Sequence, residues 1–380
     1  MIQMVSLGDI CDIKIGRTPP RKQPQWFSES YGIKWVSIKD MGNTGKHISQ
    51  TSEFLTADAI KKFNIPIIPA GTLLMSFKLT VGRLGFAEDD MCSNEAIAQL
   101  PIKNPSVVDK NYLYYYLKNF NFDSLSSTSS IATAVNSKTV KNISVNLLPL
   151  DQQKKIANIL GSLDEKIELN RRMNETLEQL GQALFRHYFV DNPEAKNWDE
   201  GTLGDIMNIT MGQSPPGKSY NNNGDGVVFY QGRADFDLRY PNMRLFTTDP
   251  KRFAKVGDVL LTVRAPVGDV NQALERCCIG RGLAAISSRM GAVSFCYYYC
   301  RQLKADFLEY NSEGTVFGSI NSKQLKALKL KIPPINLVEK FENEVAVIDK
   351  TIMLNSYQVK TLITLRDSLL PKLISGEIEV

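Results

Sequence analysis

Residues 7–20, LGDICDIKIGRTPP, return at 203–216 as LGDIMNITMGQSPP, with eight of the fourteen positions identical. A self-match of this kind decides the architecture before any single element is read, because each copy must fold by the same local rules. More pairs follow in the same order. AGTLLMSFKLTVG (70–82) matches VGDVLLTVRAPVG (256–268), and YYY stands at 114–116 and again at 297–299. NSK stands at 136–138 and 321–323, Pro149 pairs with Pro334, and LDEKIELN (163–170) pairs with IDKTIMLN (348–355). The offset falls from 196 at the first pair to 186 at the second, so the second copy has lost ten residues after its Pro-Pro turn.

The repeat also judges a motif inside it. Gly212–Ser219, GQSPPGKS, fits the phosphate-binding pattern G-x4-G-K-S/T. That loop works by aiming backbone N–H groups and a helix N-terminus at phosphate. Here Pro215 and Pro216 remove two donors, and Tyr-Asn-Asn-Asn-Gly-Asp-Gly follows where a helix is needed. The twin, GRTPPRKQ (16–23), keeps the first glycine and the prolines but not the second glycine or the hydroxyl. The shared feature is a rigid Gly-x-Ser/Thr-Pro-Pro turn after a strand, so the Lys218-Ser219 match is read as coincidence.

The 380 residues carry a net charge of +5, with 43% apolar and 22% charged residues, which suits two or three domains with their own cores. No apolar run approaches the ~18 residues of a membrane span, and MIQMVSLGDI lacks the pattern of a secretory signal. A cytoplasmic protein is expected, with no membrane role. The six cysteines lack the partners of a zinc site, since the only histidines are His47 and His187; no metal is expected. Charge alternates along the repeats: +4 over 1–149, −2 over 150–199, +5 over 200–333 and −2 over 334–380. Two basic segments suggest two surfaces facing a polyanion.

The basic segments show short apolar runs between turn residues, such as IKWVSI (33–38), GTLLMSF (71–77), VVFY (227–230) and DVLLTV (258–263), and read as mixed α/β. YLYYYLKNF (112–120) and FCYYYCRQLKADFLEY (295–310) read as helices whose tyrosines pack in the core rather than serve as stacking platforms. The acidic segments read as long helices with a heptad seam: Ile156, Leu160, Leu163, Ile167, Asn170, Asn174 and Leu177 in one, Phe341, Val345, Ile348, Ile352, Asn355, Val359 and Leu362 in the other. Each helix would be roughly 55 Å long at about 1.5 Å per residue. Asn170 and its twin Asn355 lie mid-helix, so in an antiparallel pair they are expected to meet and set the register. The expected fold is therefore α+β. Two pseudo-repeated mixed α/β domains (1–149 and 191–333) are separated by two long helices (150–190 and 334–380, the latter with a tail) that pair as an antiparallel coiled coil.

The stretch PLDQQKKIANILGSLDEKIELNRRMNETLEQLGQALFRHYFVD (149–191) resembles the central conserved region of type I restriction-modification specificity subunits. The segments from IPPINLVEKFENEVAVIDKTIMLN to LRDSLLPKLISGEIEV resemble the distal conserved region, and the LGDI…PP copies resemble the start of each target recognition domain. The distal helix departs from its twin, with Asn336-Leu-Val-Glu-Lys where the first has Asp151-Gln-Gln-Lys-Lys. The resemblance covers the whole chain. It implies a subunit that reads a bipartite, asymmetric duplex site, one half-site per domain. It also implies recruitment of two methyltransferase subunits and, where the system has them, two restriction subunits. S-adenosylmethionine, ATP and Mg would be bound by those partners and no cofactor by this chain. No catalysis is expected of the chain alone: its Pro-Pro pairs stand in TPPR, SPPG and IPPI, and none completes an adenine methyltransferase motif.

Lys78 and Arg264 are twins between an apolar strand and a Val-Gly turn, a place for a phosphate or base-edge contact. Arg233, Arg239, Arg244 and Arg281 are further candidates in the second domain; Lys34, Lys39, Asn43, Lys46, His47 and Arg83 are candidates in the first. Leu184, Phe185, Tyr188 and Phe189 carry more apolar bulk than a two-helix seam needs and are assigned to a methyltransferase partner. The competing readings are a stand-alone DNA-binding protein, a P-loop NTPase and a coiled-coil scaffold.

Overall fold

Each LGDI becomes a single helical turn, Leu7–Ile10 and Leu203–Ile206, closed by the residue before it. The Asp9 carboxylate accepts from the Ser6 backbone N–H (2.9 Å) and hydroxyl (2.7 Å), and Asp205 accepts from the same two groups of Thr202, both at 2.8 Å. Leu7, Ile10, Leu203 and Ile206 are buried, each contributing about 1.5–3 kcal/mol of apolar transfer. The turn docks on the helix that follows NSK: Gly8 lies against Lys141 and Gly204 against Lys326, with 3.2 Å between a hypothetical Cβ and the carbonyl oxygen in both. Asn136 and Asn321 are the N-caps of those short helices, Ser137–Lys141 and Ser322–Lys326.

The computed structural model describes residues 3–42, 45–125, 136–308, 310 and 318–380. The chain forms two units, Met1–Glu168 with Thr361–Val380, and Leu169–Lys360. In the first, one sheet runs in the order Lys14–Ile15, Ile97–Leu100, Leu73–Ser76, Leu84–Ala87, His47–Ile48. A second runs Phe27–Ser28, Glu53–Leu55, Ile33–Val36, Cys92–Ser93, with its last pair parallel. The other unit repeats the first four strands of each order, without a counterpart of His47–Ile48 among the described residues. Met207–Met211, Leu283–Ser288, Val259–Thr262 and Val270–Gln272 form one sheet. Tyr220–Asn221, Phe246–Thr247, Val227–Tyr230 and Cys277–Ile279 open the other, which Phe253–Ala254 completes. A two-stranded ladder closes each unit, Gln3–Ser6 with Ser144–Leu147 and Asp199–Thr202 with Lys329–Ile332.

The long helices are Leu150–Phe185 and Ile335–Ser375, and the boundary between the units falls inside both. Every predicted seam residue is buried or half-buried. Within the second unit the pairing is antiparallel, but its register differs from the expected one. Asn355 donates to Asn174 Oδ1 (3.0 Å), and Asn174 donates to Ser356 Oγ (3.1 Å) and the Ile352 carbonyl (3.3 Å). Asn170, 1% exposed, donates to Gln358 (2.7 Å). Asn170 and Asn355 therefore both lie in the seam but each meets another residue, with the helices shifted by about a turn from the symmetric match.

The tyrosine triplets fasten each domain to a helix. Tyr115 donates to Asp164 (2.7 Å) in the first unit, and its twin Tyr298 donates to Asp349 (3.2 Å), the twin of Asp164, in the second. The cation completing the cluster comes from different places. In the first unit it is Arg366 of the helix, 2.7 Å from Asp164. In the second it is Arg239 of the domain, 2.9 Å from both Asp349 and Glu178. Burial pushes the Asp164 carboxyl up, but Lys118 and the hydrogen bonds from Arg366 and Tyr115 outweigh it and hold its pKa below the usual 3.8.

Candidate nucleic-acid interface

In the second unit the C-terminal ends of four strands, Met207–Met211, Val227–Tyr230, Val259–Thr262 and Cys277–Ile279, open on one groove. Its volume is about 570 Å³, and its polar lining is Ser214, Tyr220, Gln231, Arg233, Arg264 and Arg281. The Gly-x-Ser/Thr-Pro-Pro turn forms one wall. A Cβ on Gly212 would fall 2.2 Å from the Gly280 carbonyl oxygen, so only glycine lets the strand end press against the 280–282 turn. That approach brings Ser214 Oγ to 3.2 Å from the Arg281 backbone N–H, which donates to it. Gly16 meets the Ser93 carbonyl oxygen in the same way, at 2.1 Å from a hypothetical Cβ.

Three of the predicted arginines meet in this groove. Arg264 and Arg281 are exposed and have no side-chain ion pair among the described residues. Arg233 is held by Asp269 at 2.7 Å through Nε. Arg244 is exposed but pairs with Asp235 at 2.5 Å, away from the groove lining. Arg239 is a correction: it is 2% exposed, bonded to Gln272 (3.0 Å) and Tyr298 (3.2 Å), with the Tyr297 ring 3.4 Å below its guanidinium. It anchors the domain to the helices and offers nothing to a nucleic acid. Burial disfavours its charge, but Tyr297, Asp349 and Glu178 more than restore it and keep its pKa raised.

In the first unit Lys78 and Lys39 are exposed, Lys78 beside the Phe77 ring at 5.5 Å. His47 is exposed, its ring 5.8 Å from Phe86. Lys34 is tied to Asp89 and donates to the Ser49 carbonyl (2.6 Å). Arg83 donates to the Ile38 carbonyl (2.7 Å) and packs over Gly42, a structural role. Lys46 is half-buried over Tyr115 (5.1 Å); burial lowers its pKa against the pull of Asp164. It lies over the tyrosines that face the long helix. Asn43 lies outside the described residues.

The partner assignment at the end of the first long helix is also corrected. Phe185, Tyr188 and Phe189 are buried in the second unit's own core with Phe295 and Phe341, and Leu184 packs against that core. A π-helical turn, Arg186–Val190, which closes on one residue more than an α-helical turn, follows Phe185 and carries Tyr188 and Phe189. Sequence periodicity did not carry that extra residue.

The phosphate-loop match has no loop. Gly217–Ser219 is one tight turn leading into the strand Tyr220–Asn221, and the buried Ser219 hydroxyl is bonded to the Pro216 carbonyl (2.7 Å) and the Thr247 hydroxyl (2.8 Å). Sequence reasoning missed Ser214, Gln231 and Tyr220 as groove residues, and Leu79 beside Lys78. Leu79 is 92% exposed at a φ of 62°. The repeat held a usable signal for Ser214, whose twin Thr18 is also a hydroxyl.

Comparison with known proteins completes the description. A family profile described as type I restriction modification DNA specificity domain matches residues 2–179 and 195–353. The putative type I restriction enzyme MjaX specificity subunit of Methanocaldococcus jannaschii is 32% identical over 298 residues, covering 73% of this chain and 70% of that protein. The MjaIX specificity subunit of the same organism is 26% identical over 410 residues, covering 98% and 93%. A solved type I restriction-modification S subunit from M. genitalium shares the fold with a TM-score of 0.62 over 98% of this chain and 96% of that one, at 17% identity.

Proposed function

Since the chain belongs to the type I restriction-modification DNA specificity family, we propose that each of its two domains reads one half of a bipartite, asymmetric duplex site through the groove at its strand ends. As a specificity subunit it recognises DNA and is not itself the enzyme. The observation that carries the reading is the convergence of Arg233, Arg264 and Arg281 on one groove. Exposed guanidinium groups beside Gln231 and Tyr220 suit phosphate and base edges together. Lys78 and Arg264, at the same place in each unit, are the phosphate anchors, and Leu79 is an apolar contact to a base at the rim of the first. Lys39 and His47 extend that surface.

Methylation and cleavage belong to the partners: two methyltransferase subunits that bind S-adenosylmethionine, and restriction subunits with ATP and Mg where the system has them. The complex works in the cytoplasm, on the genome. The long helices are the surface on which the methyltransferase subunits dock.

The test measures duplex binding by the chain in complex with its methyltransferase subunit across a salt series. Lys78→Ala and Arg264→Ala should each weaken binding to every sequence and reduce the slope of log K against log[salt] by about 1. Unchanged slopes in both variants would remove these residues from the interface and with them the groove as the reading surface.

A further inference from the structure

The strands and turns that frame the groove of the second unit recur in the first, with opposite charge at one position. Trp35 pairs with Cys92 and Phe229 with Cys278 in the parallel ladders of the two units. The turns that follow are held by the same bonds. Arg17 N–H donates to the Ser93 carbonyl (2.9 Å) and Gln213 N–H to the Ile279 carbonyl (3.0 Å). Phe77 N–H donates to the Ala96 carbonyl and Val263 N–H to the Gly282 carbonyl, both at 2.9 Å. Residue 95 of the first unit therefore stands where residue 281 stands in the second. Residue 95 is glutamate, residue 281 is arginine, and both are exposed.

The neighbours of this position keep their character. Thr18 and Ser214 are both hydroxyls, and each bonds the turn: Thr18 donates to the Glu95 carboxylate, and Ser214 accepts from the Arg281 backbone. Lys78 and Arg264 are both exposed cations. The hydroxyl and the exposed cation are common to both units, and position 95/281 is where the charge reverses.

We propose that residues 281 and 95 are specificity determinants, Arg281 demanding a guanine in one half-site and Glu95 demanding the exocyclic amine of a cytosine or adenine in the other. This rests on the reading that each groove takes one half-site. A guanidinium fork matches guanine O6 and N7. A carboxylate accepts only. It is repelled by phosphate and by the acceptor edge of guanine, and finds a donor in the major groove at cytosine N4 or adenine N6. The Thr18 hydroxyl engages one carboxylate oxygen and so orients the other, as a reader requires.

The experiment co-expresses the full chain with its methyltransferase subunit and maps N6-methyladenine across the host genome. Arg281→Ala and Arg281→Lys should both relax one guanine position of one half-site, by about 5- to 150-fold in discrimination, leaving the other half-site unchanged. Glu95→Ala, which removes the acceptor, should relax one cytosine or adenine position in the opposite half-site only. Arg281→Lys keeps the charge but not the fork, so full activity and unchanged preference in it mark a phosphate contact and overturn the proposal. The same holds if both residues act on one half-site, or if Glu95→Ala leaves the motif intact. An absence of any bipartite motif with the unaltered chain defeats instead the reading on which the proposal rests.

Discussion

Arg239 and Arg281 are the same residue type in one basic domain, and their surroundings give them unrelated work. Arg239 is buried among Glu178, Asp349, Gln272 and the stacked Tyr297. A charge taken out of water must be compensated, and here two carboxylates and an aromatic face do it. Arg239→Ala leaves Asp349 without its cation and Glu178 with Arg301 alone, and is expected to destabilise the second unit by about 3–5 kcal/mol. Urea unfolding of the full chain reads this as an earlier transition for residues 169–360. Arg281→Ala, at an exposed turn, should stay within about 0.5 kcal/mol of the unaltered chain.

At the scale of elements, the contact that recurs is Tyr115 to Asp164 and Tyr298 to Asp349, a helix of each domain fastened to a long helix. Burial pushes both phenols' pKa values up, so they remain donors throughout the physiological range. Asp164 is the acid-sensitive member. Its folded pKa lies below the ordinary 3.8, so its stabilisation is present at and above that value and is lost as the pH falls through the lower folded one. Asp164→Asn should therefore lower the melting temperature at pH 7 and flatten its decline below pH ~4. A parallel shift of the whole pH–melting curve, with the acid limb unchanged, would mean that Asp164 is not the titrating group.

At the scale of the molecule, the first unit is assembled from both ends of the chain. Leu370, Leu373 and Ile374 are buried in the same core as Tyr112, Leu113, Ile156 and Leu160. Removing residues 361–380 takes those side chains and Arg366 away together. Each such buried aliphatic costs about 2–5 kcal/mol when truncated. The deletion should therefore expose the N-terminal domain to protease while leaving fragments of 169–360 comparatively resistant, as limited proteolysis with mass spectrometry would show. Equal resistance of both units would mean that the first core is complete without the second helix's end.

The duplication, the alternation of basic domains with long helices, the polar seam positions and the tyrosine cores were legible in residue order; the register of the asparagines was not. They rest on local periodicity and on a repeat that tests itself. The twin of GQSPPGKS removed a false phosphate loop without any structure. What residue order could not carry was which cation faces which surface. Arg239, Lys46 and Arg83 look like any other basic residue until a helix carboxylate, an aromatic ring or a carbonyl is brought beside them from another part of the chain. The aromatics at 185–189 turned inward for a similar reason, because Phe295 and Phe341, brought in from distant parts of the chain, bury them. Partnering across long sequence separation is a property of the folded chain, since burial and charge compensation exist only once the domains close on their helices.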